Sequence, residues 1–336
     1  MEENIKILGI ETSCDETAAA VILNGDVVLS NVIFSQIDIH KPHGGVVPEI
    51  AARNHIDKID TVVKKALDDA GCTLMDIDAI AATYGPGLIG AVLVGLNFAK
   101  SLSFAADTPL IGINHLEGHI SSAYLENSGF APPFVALIAS GGHNHLVYVE
   151  NYGEYEILGR TVDDAAGEAF DKVARSLGLP YPGGVQIDSL AKEGDPAAIP
   201  FPRAKLDNAL DFSFSGLKSA VLNYINSAKM KGDKTNHADI AASFQDAVVD
   251  VLVKNALNAC LMTGVDKLAV VGGVACNSRL RETLTKKCAQ QDIALHIPKP
   301  IFCTDNAAMV AAAGFYHYKK GSFAGMGLNG QSSLSL

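Results

Sequence analysis

The chain has 336 residues, 48% of them apolar and 19% charged, with 31 glycines and no tryptophan. That composition excludes a disordered chain and supplies interior for two domains or one large α/β unit. A formal net charge of −11 opposes nonspecific nucleic-acid binding, so a nucleic-acid partner needs a local basic patch or a helper protein.

The acidic start "MEENIKILGIET" runs straight into a strand and does not read as a signal peptide. A strand over Ile5–Glu11, a polar turn over Thr12–Thr17 and a second strand over Ala18–Leu23 follow. Residues 79–99 form an uncharged run of 21, long enough to cross a bilayer. Tyr84, Gly85, Pro86, Gly87 and Asn97 interrupt it, so "AIAATYG" reads as a buried strand, "GPG" as a turn, and "LIGAVLVGLNFAKSLSFAA" as a buried helix of a soluble protein.

Next comes "INHLEGHISSAY", with His115 and His119 four residues apart. On a helix they share one face and can both face one ion. The zinc-protease pattern H-E-x-x-H puts a general-base glutamate directly after the first histidine. Here Leu116 holds that place, and Glu117, about 200° around the helix from His115, points away from such an ion. Glu117 is then either helix surface or a hydrogen bond holding a neighbouring histidine ring. The pair alone fits a metal site and a polar helix face equally well.

A strand over Phe134–Ala139, a Ser-Gly-Gly turn and alternating strands repeat the plan of the N-terminal hairpin. Two such hairpins separated by helix-rich sequence point to an internal duplication, and polar turns between buried strands present N–H groups that suit phosphate oxygens. "TVDDAAGEAFDKVARSLGL" reads as a carboxylate-rich helix, "PYPGGVQIDSLAKEG" as a Pro-Gly loop into a helix, and "LDFSFSGLKSAVLNYI" as an alternation that turns helical. "KLAVVGGVACNSRLRETLTKKC" is a buried strand, a Gly272–Gly273 turn and an amphipathic helix, without the G-x-G-x-x-G or P-loop patterns. Asp305 stands before an Ala-rich helix and by itself reads as its N-cap. "SAKMKGDK" and "RLRETLTKK" carry mild basic clusters that read as solvated surface. Cysteines 14, 72, 260, 276, 288 and 303 include no C-x-x-C pair, which fits a reducing cytosol. Strands and helices alternate throughout, so the fold class is α/β with two related halves and a cleft between them.

Taken together, "GIETSCDETAAAV", "GGVVPEIAARNH", "YGPGLIGAVLVG", "NHLEGH", "SGGHNHLVYV", "DDAAGEAFDKVARSLGL", "YPGG", "DFSFSGLKSAV", "SFQDAVVD", "VVGGVACNSRLR" and "FCTDNAAMVA" resemble the bacterial TsaD family, once labelled glycoprotease, in collinear order over nearly the whole chain. The resemblance implies the ASKHA fold of actin, sugar kinases and Hsp70, two RNase H-like halves around a nucleotide cleft. Its halves would be residues 1–114, joined by a C-terminal helix at about 307–330, and residues 115–306, carrying the metal and nucleotide sites. It implies transfer of a threonylcarbamoyl group from threonylcarbamoyl-AMP to the N6 amine of the adenosine beside the tRNA anticodon (position 37, in tRNAs reading ANN codons).

By the same resemblance one divalent metal per subunit, iron (Fe2+) or else zinc, falls on His115, His119 and Asp305. The substrate positions fall on Leu137, Ile138, Ala139, Ser140, Gly141 and Gly142, where the turn meets phosphate and acyl group, and on Asp171, Gly184, Asp188 and Asn277. Carboxylates at 171 and 188 suit ribose hydroxyls, because each accepts two such bonds. Asp15 or Glu16 is the candidate general base. The implied partners are tRNA, the paralogue TsaB in a heterodimer and the ATPase TsaE, with a TsaC-type synthetase making the adenylate, in the cytoplasm and away from membrane. The acidic charge suggests that partners help hold the RNA. Two other readings are a metalloprotease, which the place of Glu117 disfavours, and a nucleotide-binding scaffold, which has no need of an open metal site.

Overall fold

The computed structural model describes residues 4–126 and 128–336. Its chain divides into two compact units: residues 1–132, 151–154 and 301–336 form the first, and residues 133–150 and 155–300 the second.

In the first unit β1 (Lys6–Glu11) lies at the centre of a sheet with β2 (Glu16–Leu23), β3 (Val27–Ser35), β4 (Ala79–Gly85) and β5 (Leu110–Asn114), in the order β3-β2-β1-β4-β5. β1 pairs antiparallel with β2 (Gly9 opposite Ala20) and parallel with β4 (Gly9 opposite Ala81). Helices follow β3: the single turn α1 (Ile37–His40) and the long α2 (Pro48–Asp69). α3 (Ile89–Ala106) joins β4 to β5, and α4 (His115–Ser121) follows β5 directly.

β1 reads as a nearly unbroken apolar run because both sheet faces are covered. Ile5 and Ile7 belong to one core with Ala307–Ala313, while Leu8 and Ile10 belong to another with Ile59, Val62, Val63, Leu96 and Ala99. Each fully buried Ile or Leu contributes about 1.5–3 kcal/mol relative to exposure. α3 is apolar and 18 residues long, yet it buries one face only (Ala91, Val92, Gly95, Leu96, Ala99, Ser103) and leaves Phe104 80% exposed. The buried helix expected there is thus a half-buried one. Ala91, Val92, Gly95, Leu96 and Ala99 line the buried face, while Ile89 and Phe104 face outward.

In the second unit β6 (Phe134–Ala139), β7 (Asn144–Asn151) and β8 (Glu154–Arg160) are followed by α5 (Ala166–Ser176), α6 (Gly183–Ala191), α7 (Ser215–Lys231) and α8 (His237–Thr263). β9 (Lys267–Val271), α9 (Ser278–Ala289) and β10 (Ala294–His296) complete the unit, and α10 (Pro300–Cys303) leads out of it. The sheet order is β10-β9-β6-β7-β8. β6 pairs antiparallel with β7 and parallel with β9, as β1 does with β2 and β4. The two sheets therefore repeat one topology, the duplication suggested by the paired hairpins.

α11 (Ala307–Lys319) returns to the first unit. A Cβ on Gly9 would run into Ala307 O and Ala311, and one on Gly314 into Ala81, so helix and sheet meet at backbone distance. Against the expected boundary at 114/115, the units divide at Pro132/Pro133. α4 stays with the first unit because it packs on α11, with Gly118 facing Met309 and Val310. His115, His119 and Asp305 consequently all belong to the first unit and not, as expected, to the second.

Candidate active site

β5 runs into α4 without a loop. Asn114 caps the helix: its Oδ1 accepts from the Leu116 N–H at 2.9 Å, and its Nδ2 donates to Ser335 O at 3.0 Å. His115 is thereby fixed as the first helical residue, with His119 one turn on. All seven residues of α4 are buried, so the polar-face alternative for the histidines falls. Asp305 is not the cap of α11. Asn306 is, accepting from the Met309 N–H at 3.0 Å and donating to Thr304 O at 2.8 Å.

Asp305 Oδ1 lies 3.2 Å from His119 Nε2 and 3.6 Å from His115 Nε2. One ligand atom from each of the three residues falls within 4.8 Å of the others. The imidazole rings stand 4.6 Å apart at 76°. His119 is fully buried, and neither of its nitrogens makes a hydrogen bond among the described residues; the Asp305 approach lacks the geometry of one. An orphaned buried polar atom costs about 1–3 kcal/mol, which a cation shared with Asp305 would offset. Two imidazoles and a carboxylate are a common donor set for a divalent transition metal, and the centre fits a single metal ion.

The residues behind His115 fit the same conclusion. Its Nδ1 lies 3.1 Å from Glu11 Oε2 and 3.2 Å from Ser13 Oγ. Glu11, at the end of β1 and fully buried, also accepts from Thr83 Oγ1 at 2.7 Å and from the Ser13 N–H at 2.5 Å. A carboxylate on Nδ1 holds the ring in the tautomer that leaves Nε2 for a metal. Burial would lower the His115 pKa, but the Asp305 and Glu11 carboxylates outweigh it and push it up to about 9. Burial likewise raises Glu11, and the His115 ring outweighs that and holds it below the usual range. The centre demands positive charge, which a proton or a divalent cation meets. Sequence reasoning missed Glu11, Ser13 and Thr83; the one signal was a carboxylate closing an otherwise apolar strand.

Asp15 and Glu16 lie on the turn leaving β1. Glu16 Oε1 accepts from Ser35 Oγ at 3.0 Å. Burial, then the Asp15 and Asp305 carboxylates, raise Glu16 well above the usual carboxylate range. Glu16 thus stands within electrostatic reach of Asp305. Glu117 points away from the metal ligands, as helix geometry requires, but it is buried and not on the helix surface. Its Oε1 lies 3.0 Å from Nε2 of His317 on α11, a ring outside the triad. Glu117 is therefore not the general base that the protease reading requires.

In the second unit the sequence-assigned positions form a connected series. β6 carries Leu137, Ile138 and Ala139, all fully buried, up to the Ser140–Gly142 turn. Apart from the chain neighbours, no atom of the described residues lies within 4 Å of a Cβ built on Gly141 or Gly142, so the turn is open there. Asp171 Oδ1 accepts from the Gly183 N–H at 2.7 Å, beside Gly184 at the start of α6. One turn along α6, Asp188 Oδ1 accepts from Ser278 Oγ at 2.8 Å. Asn277 caps α9 through Leu280 N at 3.0 Å and donates from Nδ2 to Gln245 Oε1 at 2.7 Å. Asp171, Asp188 and Asn277 therefore each spend part of their bonding capacity on the protein.

Two sheets of one strand order, each built on an antiparallel hairpin extended by parallel strands, define the ASKHA fold. Full-length HypF in its phosphate- and nucleotide-bound form superposes with a TM-score of 0.64 at 16% identity, covering 96% of this chain and 57% of that one. Component A of Acidaminococcus fermentans (R)-2-hydroxyglutaryl-CoA dehydratase superposes at 0.55 and 17% identity, covering 95% and 99%. A sequence model of the family "TsaD: tRNA N6-adenosine threonylcarbamoyltransferase" matches residues 27–312. Proteins of that description from Clostridium botulinum (strain 657 / Type Ba4) and Clostridium kluyveri (strain NBRC 12016) are 58% and 56% identical, each alignment covering 100% of this chain and 99% of the relative. The chain belongs to the TsaD family. It is an enzyme that transfers a threonylcarbamoyl group to the N6 amine of adenosine in tRNA.

Proposed function

We propose that the donor is threonylcarbamoyl-AMP, that the acceptor is the adenosine beside the anticodon (position 37, in tRNAs reading ANN codons), and that His115, His119 and Asp305 hold one divalent metal, iron in preference to zinc. The observation that carries this reading is the buried, hydrogen-bond-free His119 beside Asp305 in a chain of this family. When bound, the metal supplies Lewis-acid polarisation of the acyl group. Glu11 and Ser13 keep His115 in its ligating tautomer. The Ser140–Gly142 turn receives phosphate and acyl group on its open glycine side, Asp171 and Asp188 bind ribose hydroxyls, and Gly184 and Asn277 flank the base.

The adenosine amine attacks the carbamoyl carbon. A C–N bond forms, the C–O bond to AMP breaks, and the amine proton passes to the Asp15–Glu16 pair. Glu16, raised by burial and by its neighbouring carboxylate, shares that duty with Asp15 as one site. TsaB has a surface to use in the groove between α2 and α3, lined by Ile56, Leu93 and Phe98, with TsaE acting on the heterodimer in the cytoplasm. The test is to count metal per purified chain and to measure transfer from threonylcarbamoyl-AMP to unmodified tRNA with and without TsaB and TsaE. Transfer by a metal-free chain would overturn the role given to the triad.

A further inference from the structure

We propose that residues 331–335 are a positioning strap for the metal centre: they hold Asn114 at the start of α4 and the turn after β4, aim His115, and so raise the affinity of the triad for a divalent cation. The proposal rests on the metal centre proposed above. β5 is the last strand of its sheet, and the chain after α11 lies along its free edge. Ala324 N–H donates to Leu110 O at 2.8 Å, and Lys100 Nζ on α3 donates to Leu328 O. A Cβ on Gly112 would meet Leu328 Cδ2 at 2.6 Å, so this segment rests directly on the strand. Farther on it is bonded at three points near the ends of β4 and β5, all within the first unit. Gln331 N–H donates to Tyr84 O at 2.7 Å, Gly87 N–H donates to Ser332 O at 3.3 Å, and Asn114 Nδ2 donates to Ser335 O at 3.0 Å.

Each of these points adjoins a residue that braces His115, or His115 itself. Tyr84 follows Thr83, whose Oγ1 donates to Glu11 Oε2 at 2.7 Å. Gly87 precedes Leu88, whose N–H donates to Ser13 O at 2.9 Å, and a Cβ on Gly87 would meet that same oxygen at 2.7 Å. Glu11 and Ser13 both stand at His115 Nδ1. Asn114 immediately precedes His115 in the chain. As a helix cap Asn114 needs only its Oδ1, which serves the Leu116 N–H, and serine or threonine would cap as well. The amide adds Nδ2, and Nδ2 is spent on the strap. α4 is seven residues long, about two turns, so its cap bears strongly on where its first side chain points. Linkage makes the effect reciprocal: if the docked strap favours the cation, the bound cation favours the docked strap by the same factor.

The test is cobalt(II) affinity, measured by competition with a chelator and read in the visible absorption of the bound ion. It compares wild type, Asn114→Ser, a chain ending at Leu334, those two changes combined, and a chain ending at Ser335. Asn114→Ser keeps a capping oxygen and loses Nδ2, whereas ending at Leu334 removes the acceptor and leaves Asn114 intact. Each should bind cobalt about 10-fold more weakly, the low end of the loss for a group standing behind a metal ligand. The combination should lose no more than either alone, because both changes remove the same bond. The chain ending at Ser335 keeps the acceptor oxygen and should bind as tightly as wild type. In wild type, saturating cobalt(II) should slow hydrogen exchange of the Gln331 amide by about the factor lost in the variants. Wild-type affinity in both single changes, losses that add in the combination, an equal loss in the chain ending at Ser335, or Gln331 exchange indifferent to cobalt would each overturn the strap. Cobalt binding that His119→Ala leaves unchanged would instead overturn the metal centre, and the strap with it.

Discussion

The candidate metal centre and the candidate ligand surface are built by opposite means. In the first unit, side chains from β1, α4 and the segment before α11 converge, and each ligand but one is braced: His115 by Glu11 and Ser13, Asp305 by the capped helix that follows it. In the second unit the decisive feature is missing side chain, the open faces of Gly141 and Gly142 on a turn clamped by backbone bonds. A centre made of side chains fails by truncation. A surface made of glycine fails by addition.

The sharpest break of that contrast is His115 and His119 changed together to alanine. Bound metal and transfer to unmodified tRNA should both vanish, with the far-UV spectrum retained; full activity in the metal-free variant would refute the triad. Next in size is Gly142→Val, which should abolish adenylate binding with little change in melting temperature, since a Cβ added there meets no described residue beyond its chain neighbours. Gly272→Ala sharpens it, because Gly272 has φ +92° and its Cβ would run into the Ala139 carbonyl. That variant should melt lower by several degrees, the scale of about 1–3 kcal/mol of backbone strain.

Glu11→Gln is expected to act more gently. It keeps the shape beside His115 and removes the charge, so competition with a chelator should show metal affinity reduced about 10–100-fold.

The smallest effect belongs to Glu117→Gln. Metal should remain bound, transfer should fall modestly, and no glycoprotein should be cleaved with or without the change. The Glu117 hydrogen bond, working against burial, raises the His317 pKa. A raised folded-state value means that the pair stabilises the fold fully below about pH 6.5, the ordinary histidine value, and that this contribution is lost as pH rises through the raised value. The melting-temperature gap between wild type and Glu117→Gln should therefore be widest in mild acid and close toward alkaline pH. Metal-dependent peptide hydrolysis lost in this variant would restore the protease reading.

Much of the fold was legible because burial on both faces writes itself as apolar runs: β4 and β6 have the predicted bounds, Ala79–Gly85 and Phe134–Ala139. The His115–His119 face was legible from helix period alone. The domain boundary was not, since α4 joins the first unit through α11, almost 200 residues later in the chain. Asp305 misread as a helix cap because the true cap is the next residue, and Asp and Asn serve that position alike. Glu11 was invisible for a related reason: it is one polar residue at a strand end, and only long-range pairing with His115 says what it does.

The return of α11 to the first sheet sets an order of assembly. Its residues Ala307–Ala313 fill one face of the core around β1, and Asp305 stands at its threshold. During synthesis β1 emerges some 300 residues before the helix that covers it. Until that helix arrives, one face of the sheet is bare and the third ligand does not exist. A nascent or truncated chain ending before residue 300 therefore has two histidines and no centre, and metal uptake becomes a report that the first unit has closed. Pulse-labelled chains stalled before and after residue 320 should differ in metal content for this reason alone.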